Sequence, residues 1–209
     1  MNSADIQQKI LTDDDFVLSE TKKIQYLYGL KHEIRYDLSR PNMDFSESVA
    51  EHVYGMHIIS DYFLPLEDPE GLLDIAKIKT IITWHDMDEL ETGDKVSWKK
   101  TAADIESEKT AWMEVVPHLP DLVKDTVTRA VEDYESLASP EARFVKGVDK
   151  VEPLFQIYNH KGKEWSLNAS MTRDDADRIK TQFIKDFPYM QRFTTVVHDA
   201  MEREGFFAA

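Results

Sequence analysis

The sequence contains no cysteine. This absence excludes disulfide bonds, thiolate catalysis and zinc sites built on cysteine. Any metal or acid–base chemistry must therefore come from histidine, carboxylate and basic side chains. The chain offers seven histidines, at positions 32, 52, 57, 85, 118, 160 and 198.

Basic side chains are few: 25 Lys and Arg stand against 40 Asp and Glu, for a formal net charge of -15. A surface that binds duplex nucleic acid or an anionic membrane needs a basic face, so we expect neither partner. Most of the carboxylates are expected to form a solvated surface.

Long apolar runs are also missing, and none approaches the roughly 18–20 residues of a membrane span. The first residues, MNSADIQQKILTDDD, lack the basic and apolar regions of a signal peptide. A length of 209 residues with 42% apolar side chains suits one domain with a substantial core. We expect a soluble, cytoplasmic protein.

Glycine and proline are scarce, with seven and eight copies, and they separate long segments of helical periodicity. This pattern predicts an all-α fold of seven to nine helices. Ser19 is expected to cap the first helix, residues 42–45 form a turn, Ser46 opens the next helix, and residues 160–165 form a basic loop. The other predicted boundaries place helices at 46–64, 73–90, 102–116, 120–136, 140–158, 172–185 and 188–204.

A dense run of possible ligands, HDMDELETGD, occupies residues 85–94 at the end of the apolar segment 73–90. His85 and Asp86 diverge by about 100° on a helix, yet both can reach an ion in a groove beside it. Glu89 lies one turn after His85, and Asp94 follows the helix-stopping Gly93. Such a cluster is costly without a cation, and its donors suit Mn²⁺, Co²⁺, Fe²⁺, Zn²⁺ or Mg²⁺.

A His-Asp pair alone is a weak motif, because the chain contains a second pair, His198-Asp199. No glycine–acid turn follows that second pair. We therefore interpret it as an ordinary helix face.

Three segments in order carry a more specific signal: ESVAEH (47–52), HDMDELETGD (85–94) and VKGVDKVEPL (145–154). Together they resemble the HD-domain metal-dependent phosphohydrolases, and within them the bacterial 5′-deoxynucleotidases, which act on deoxyribonucleoside monophosphates. The resemblance covers roughly residues 27–160. It implies a single HD domain over residues 1–209, with helices in 172–204 packed on the motif-bearing core.

The resemblance also implies roles for individual residues. Glu89 would activate or orient the attacking water, and Asp94 would support the substrate and water side of the site. The segment LKHEIR (30–35) resembles the family's Leu-Lys-x-x-x-Arg, which makes Arg35 the expected phosphate-binding residue. One divalent metal ion would be held by four ligands, His52, His85, Asp86 and Asp149.

The sequence departs from the subgroup on the substrate side. Tyr36-Asp37 follows Arg35 where Trp or Thr-Gly is usual, and Lys95-Val96-Ser97 replaces a proline commonly found after the Gly-Asp pair. Lys95 is expected to contact substrate. These departures bear on the choice of substrate more than on the metal site.

The leading prediction is a 5′-nucleotidase that releases phosphate from (deoxy)nucleoside monophosphates by attack of metal-activated water. An alternative is a nucleoside triphosphate phosphohydrolase, which the basic patch Lys95, Lys99 and Lys100 could serve, although a loop that balances nearby acids explains that patch better. A non-catalytic ligand-binding module is a further alternative. A two-iron oxygenase is disfavoured because only His118 lies between His85 and Asp149. The resemblance also suggests a homodimer.

Overall fold

The computed structural model describes residues 3–36 and 46–208, and over these residues the chain is helical, with no β-strand beyond a single bridge between Ile34 and Ser48. The all-α prediction is confirmed, and the described residues form eleven α-helices where seven to nine were predicted. The predicted turn at 42–45 lies outside the described residues. No helix in the described part has the length and apolar character needed to cross a membrane. The α-helices are α1 (Ser3–Thr12), α2 (Asp14–Leu27), α3 (Val49–Glu67), α4 (Ile75–Trp84), α5 (Glu89–Thr92), α6 (Ala102–Val115), α7 (Asp121–Ser136), α8 (Pro140–Ile157), α9 (His160–Asn168), α10 (Arg173–Ile184) and α11 (Pro188–Arg203).

Side-chain caps fix where several helices begin. Asp13 caps α2 by accepting from the Phe16 amide, so Ser19 lies inside the helix and the prediction that it is a cap is wrong. Helix α3 starts at Val49 because Ser48 and Glu51 form a capping box, which corrects the predicted start at Ser46.

Two boundaries differ from those predicted. Helix α3 continues through Pro65 to Glu67, since Leu64 and Leu66 pack against the main core and offset the hydrogen bond that proline removes. The expected loop at 160–165 is helix α9, which is capped by Asn159 and buries Trp165.

The segment 73–90 is not one continuous helix, and this correction matters for the site. Helix α4 ends at Trp84, a turn covers residues 85–88, and α5 starts at Glu89. Met87 is buried in a separate apolar cluster with Leu30 and Val49, which draws the chain out of the helical path. His85 and Asp86 are therefore placed by a turn. Gly93 then ends α5 with φ +69°, a conformation that favours glycine.

Helix α8 is the centre of the fold and contacts α3, α4, α7, α10 and α11. Ser139 caps it, and Pro140 occupies its first turn, where a missing amide proton costs little. Its buried side chains, with Phe63 of α3 and Ile78 of α4, form the main core. Helices α10 and α11 pack against α8, while the assignment of residues 1–209 to one domain remains a prediction.

Candidate metal centre and active site

Helices α3 and α8 and the turn after α4 bring the four predicted metal ligands together. Atoms of His52, His85 and Asp86 lie within 4.8 Å of one another. His52 Nε2 is 3.4 Å from Asp149 Oδ1 and 3.9 Å from Asp86 Oδ2, and His85 Nε2 is 3.0 Å from the same Asp86 oxygen. Residues far apart in sequence thus form one compact cluster.

The two imidazoles present their Nε2 atoms to this cluster. Both atoms are buried and make no hydrogen bond of acceptable geometry, although carboxylate oxygens lie near them. The opposite nitrogens are engaged: His52 Nδ1 is 2.8 Å from Glu152 Oε2, and His85 Nδ1 is 3.0 Å from the Ile82 carbonyl oxygen. A histidine held through Nδ1 offers Nε2 to a metal, so these residues fit a divalent cation.

The carboxylates of the cluster favour their ionised forms. Burial opposes ionisation of Asp149, but the Lys150 ammonium, 2.9 Å from its Oδ2, and His52 hold the pKa of Asp149 well below its usual range. The Tyr134 hydroxyl donates to the same Oδ2 at 2.7 Å, so Oδ1 is the atom that faces His52. For Asp86, the charge and hydrogen bond of His85 outweigh burial and lower the pKa.

The electrostatic potential around His52 is negative. Burial and the Arg35 charge both oppose protonation of this imidazole, yet Glu152 and Asp149 outweigh them and raise the pKa of His52 to about 9. A site that attracts a proton so strongly also attracts a metal cation, which would compete for the same nitrogen.

Glu89 lies at the first position of α5 and is buried, with Oε2 unpartnered. Burial, followed by the charges of Asp86 and Asp94, raises the pKa of Glu89 well above its usual range. A buried carboxyl group with a raised pKa and an unpartnered oxygen suits general acid–base work.

Arg35 is buried and surrounded by three carboxylates. Its Nη1 donates to Glu47 Oε1 at 2.7 Å and to Glu152 Oε2 at 3.4 Å, and its Nε is 3.5 Å from Asp94 Oδ1. Glu47, His52 and Glu152 also form a cluster of metal-ligand type, but the guanidinium already compensates its charge.

Tyr36 holds a strained backbone conformation beside Arg35. Its φ of 66° is in the left-handed region, which is unfavourable for an aromatic residue. Asp94 Oδ2 accepts from the Tyr36 amide at 2.8 Å, and the Tyr36 hydroxyl lies 3.1 Å from Glu47 Oε1. Asp94 therefore stabilises both the guanidinium and the adjoining turn.

The basic patch is tied to acids of α6. Lys95 is exposed and pairs with Asp104 at 2.5 Å, and Lys100 pairs with Glu108 at 2.7 Å. These contacts favour a loop that balances nearby acids. The substrate contact of Lys95 remains a prediction.

The second His-Asp pair lies in the packing of α11 on α10. His198 is buried with Nδ1 2.6 Å from Asp177 Oδ1, and Asp199 pairs with Arg173 at 3.0 Å. These contacts belong to the packing of two helices, in agreement with the interpretation of His198-Asp199 as an ordinary helix face.

Sequence reasoning did not assign Glu47, Glu152, Tyr134 or Lys150 to the site. Glu47 lies within the segment ESVAEH, and Glu152 is three residues after Asp149, on the same side of α8. Both positions could therefore have been noticed from their spacing in the sequence. No sequence motif includes Tyr134, which lies on α7.

A family model described as HD domain matches residues 27–191. The chain belongs to the HD domain family. The cluster of His52, His85 and Asp86 described above could hold a metal ion.

Three curated relatives carry related names. This HD domain is 28% identical over 123 residues to 5′-deoxynucleotidase hdd1 of Schizosaccharomyces pombe, covering 56% of this chain and 60% of that protein. It is 27% and 30% identical to the proteins named 5′-deoxynucleotidase HDDC2 of Danio rerio and Xenopus laevis, over 129 and 120 residues. These two matches cover 59% and 56% of this chain, and 60% and 57% of those proteins. The chain thus spans about three fifths of the length of the curated relatives it matches.

Solved structures share the fold. A predicted metal-dependent phosphohydrolase from Magnetospirillum magnetotacticum MS-1 superposes with a TM-score of 0.74 at 21% identity, covering 92% of this chain and 96% of the other. The PH0347 protein of Pyrococcus horikoshii OT3 gives a TM-score of 0.55 at 18% identity, covering 88% and 98%.

Proposed function

We propose that this HD domain is a divalent-metal-dependent 5′-nucleotidase that releases inorganic phosphate from (deoxy)nucleoside 5′-monophosphates. One observation carries the proposal: two buried, unpartnered histidine nitrogens face Asp86 and Asp149, and Asp149 lines the same cavity as Arg35. The names of the curated relatives support the class of substrate.

His52, His85, Asp86 and Asp149 would hold one ion. When bound, a divalent ion supplies Lewis acidity and a bound water of lowered pKa. The negative potential of the four residues favours such an ion over an empty site, and the fixed Nδ1 contacts of both histidines orient their ligand atoms in advance.

Glu89 would act on the attacking water. Its buried carboxyl with an unpartnered Oε2 can accept a proton from that water, and the raised pKa makes it a stronger base than an exposed glutamate. Because Glu89 lies at the start of α5, directly after the turn that carries His85 and Asp86, the base and two of the four ligands lie in one short segment.

Arg35 would bind the phosphate of the substrate. A guanidinium is a planar donor that forms forked, charge-assisted bonds to phosphate, which an ammonium does less well. Glu47, Glu152 and Asp94 hold it in place, so little side-chain entropy is lost when phosphate binds. Asp94 thereby acts on the substrate side through Arg35.

A triphosphate substrate is the second candidate, and the ion pairs of Lys95 and Lys100 disfavour it. Both ammonium groups already meet carboxylates of α6, so a polyphosphate would have to displace Asp104 and Glu108. A monophosphate bound at Arg35 and the metal centre would leave the ion pairs of Lys95 and Lys100 intact.

The test is a phosphate-release assay on nucleoside mono- and triphosphates with Mn²⁺ or Co²⁺, with His85→Ala as the inactive control. Inorganic phosphate from 5′-monophosphates is the expected product. Release of tripolyphosphate or pyrophosphate would favour a triphosphate as the substrate. No release from any nucleotide would refute both hydrolase hypotheses and leave a ligand-binding module. Sedimentation of the purified protein tests the homodimer, which remains a prediction.

A further inference from the structure

A cavity adjoins the metal centre and extends away from it into the C-terminal helices. It shares Arg35, Asp94 and Asp149 with the site, and it is bounded by α8, α10, α11 and the loop after Gly93. Most of its walls are apolar or aromatic, and they include Val96, Trp98, Leu154, Ile157, Met171 and Met201.

One buried ammonium lines this cavity. Lys180 of α10 is only 4% exposed, and its Nζ donates to the Lys150 carbonyl oxygen at 2.8 Å. Three other cations line the cavity, and each is paired with a carboxylate: Arg35 with Glu47, Lys95 with Asp104 and Lys150 with Asp149. Within the described residues, Lys180 has no carboxylate at ion-pair distance.

This arrangement costs stability. An ammonium has three donors, and the one bond described for Lys180, to a neutral carbonyl, does not compensate the loss of water. Burial, with the nearby Lys150 charge, lowers the pKa of Lys180 to about 8. A methionine or leucine would suit these apolar walls better, so packing alone gives no reason for a lysine here.

We propose that Lys180 is a substrate-binding residue that donates to an acceptor atom of the nucleobase, which the apolar walls of the cavity enclose while Arg35 binds the phosphate. The inference rests on the proposed function and extends it to the non-transferred part of the substrate. A flat heterocycle suits the apolar and aromatic part of these walls, as ligand pockets commonly show. A second phosphate fits less well, because the other three cations of the cavity are already paired with carboxylates.

The test distinguishes an effect of Lys180 on binding of the nucleobase from an effect on binding of the phosphate. Wild type and Lys180→Met are compared on a deoxynucleoside 5′-monophosphate and on 2-deoxyribose 5-phosphate, which lacks the base. We expect KM for the nucleotide to rise about 10-fold or more, as loss of a charged hydrogen bond predicts, and KM for the sugar phosphate to stay unchanged. Lys185→Met, an exposed position at the end of the same helix, is the control.

Three outcomes would overturn the inference. An equal rise in KM for both substrates would show that Lys180 affects binding of the phosphate, through Lys150 and Asp149, and not binding of the base. Unchanged kinetics on both would show that it contacts no substrate. A lower melting temperature for Lys180→Met with a proportional loss of active protein would show that it merely joins α10 to α8.

Binding of the free deoxynucleoside, measured by calorimetry, separates this inference from the proposed function. If wild type binds the nucleoside and Lys180→Met binds it at least 10-fold more weakly, Lys180 contacts the base even if no phosphate is released. If wild type releases phosphate but both proteins bind the nucleoside equally, the nucleotidase proposal stands and the inference about Lys180 fails.

Discussion

His52 Nδ1 lies 2.8 Å from Oε2 of Glu152, a contact between residues 100 positions apart that joins α3 to α8 in the core of the site. The same Glu152 oxygen is 3.4 Å from Arg35 Nη1. One carboxylate therefore orients both the imidazole that faces the metal centre and the guanidinium assigned to phosphate.

Glu152→Ala should weaken metal binding, because His52 would lose the contact that fixes its ring and tautomer. Loss of such a partner typically costs about 10- to 100-fold in metal affinity. Titration with Mn²⁺ or Co²⁺ measures the change, with Glu164→Ala on the exposed face of α9 as the control. Equal affinities in the variant and wild type would show that Glu152 does not position His52.

Gly55→Ala should disturb the contact between His52 and Glu152, because the added methyl group would meet the other carboxylate oxygen of Glu152. A Cβ at this position in α3 would lie 2.9 Å from Glu152 Oε1, closer than carbon and oxygen normally approach. Alanine favours a helix by about 1 kcal/mol over glycine, so stability alone predicts a gain. We expect the variant to hold metal less tightly without that gain in melting temperature. A more stable protein with unchanged metal affinity would show that Glu152 adapts freely.

His85→Ala and Asp149→Ala should each lose bound metal. Each change removes one of four clustered ligand side chains, and the remaining three cannot complete the site. Elemental analysis of the purified variants measures the metal content, and His160→Ala at an exposed position is the control. Full metal content in both variants would place the centre elsewhere.

Glu89→Gln should reduce turnover while leaving metal in place. The amide keeps the size of the side chain but cannot accept the proton of the attacking water, and a general base typically contributes about 10²- to 10⁴-fold. The measurements are kcat with a nucleoside monophosphate and metal content by elemental analysis. Retention of wild-type kcat would exclude Glu89 as the base.

The contribution of Lys180 to the stability of the protein should become more favourable as the pH rises above 8. Its pKa of about 8 in the folded state lies below the ordinary 10.5, so between these values the unfolded chain binds a proton that the folded protein does not. Below pH 8 both states are protonated and the effect is constant. Wild type should therefore gain roughly 2 kcal/mol over Lys180→Met between pH 7 and pH 9.5.

Urea unfolding of both proteins at the two pH values measures this difference. Parallel pH dependences in wild type and variant would mean that the Lys180 ammonium is solvated, in conflict with its burial.

The sequence alone determined the all-α fold, and it was enough to propose most members of the candidate site. Helical periodicity, caps and scarce glycine are local signals, and the segments around His52, His85 and Asp149 are contiguous motifs. Glu47 and Glu152 lie within those motifs, so their positions could be noticed in the sequence, but the sequence does not show that they contact Arg35 and His52.

Only the tertiary structure decided how these residues face one another. The end of α4 at Trp84 depends on the packing of Met87 with residues distant in sequence, and helical periodicity does not show that contact. The acids around Arg35 and the cavity beside Lys180 depend equally on the packing of α3, α8 and α10. Local sequence fixes backbone preferences within a few residues, whereas burial and charge compensation arise from chain segments that meet only after folding.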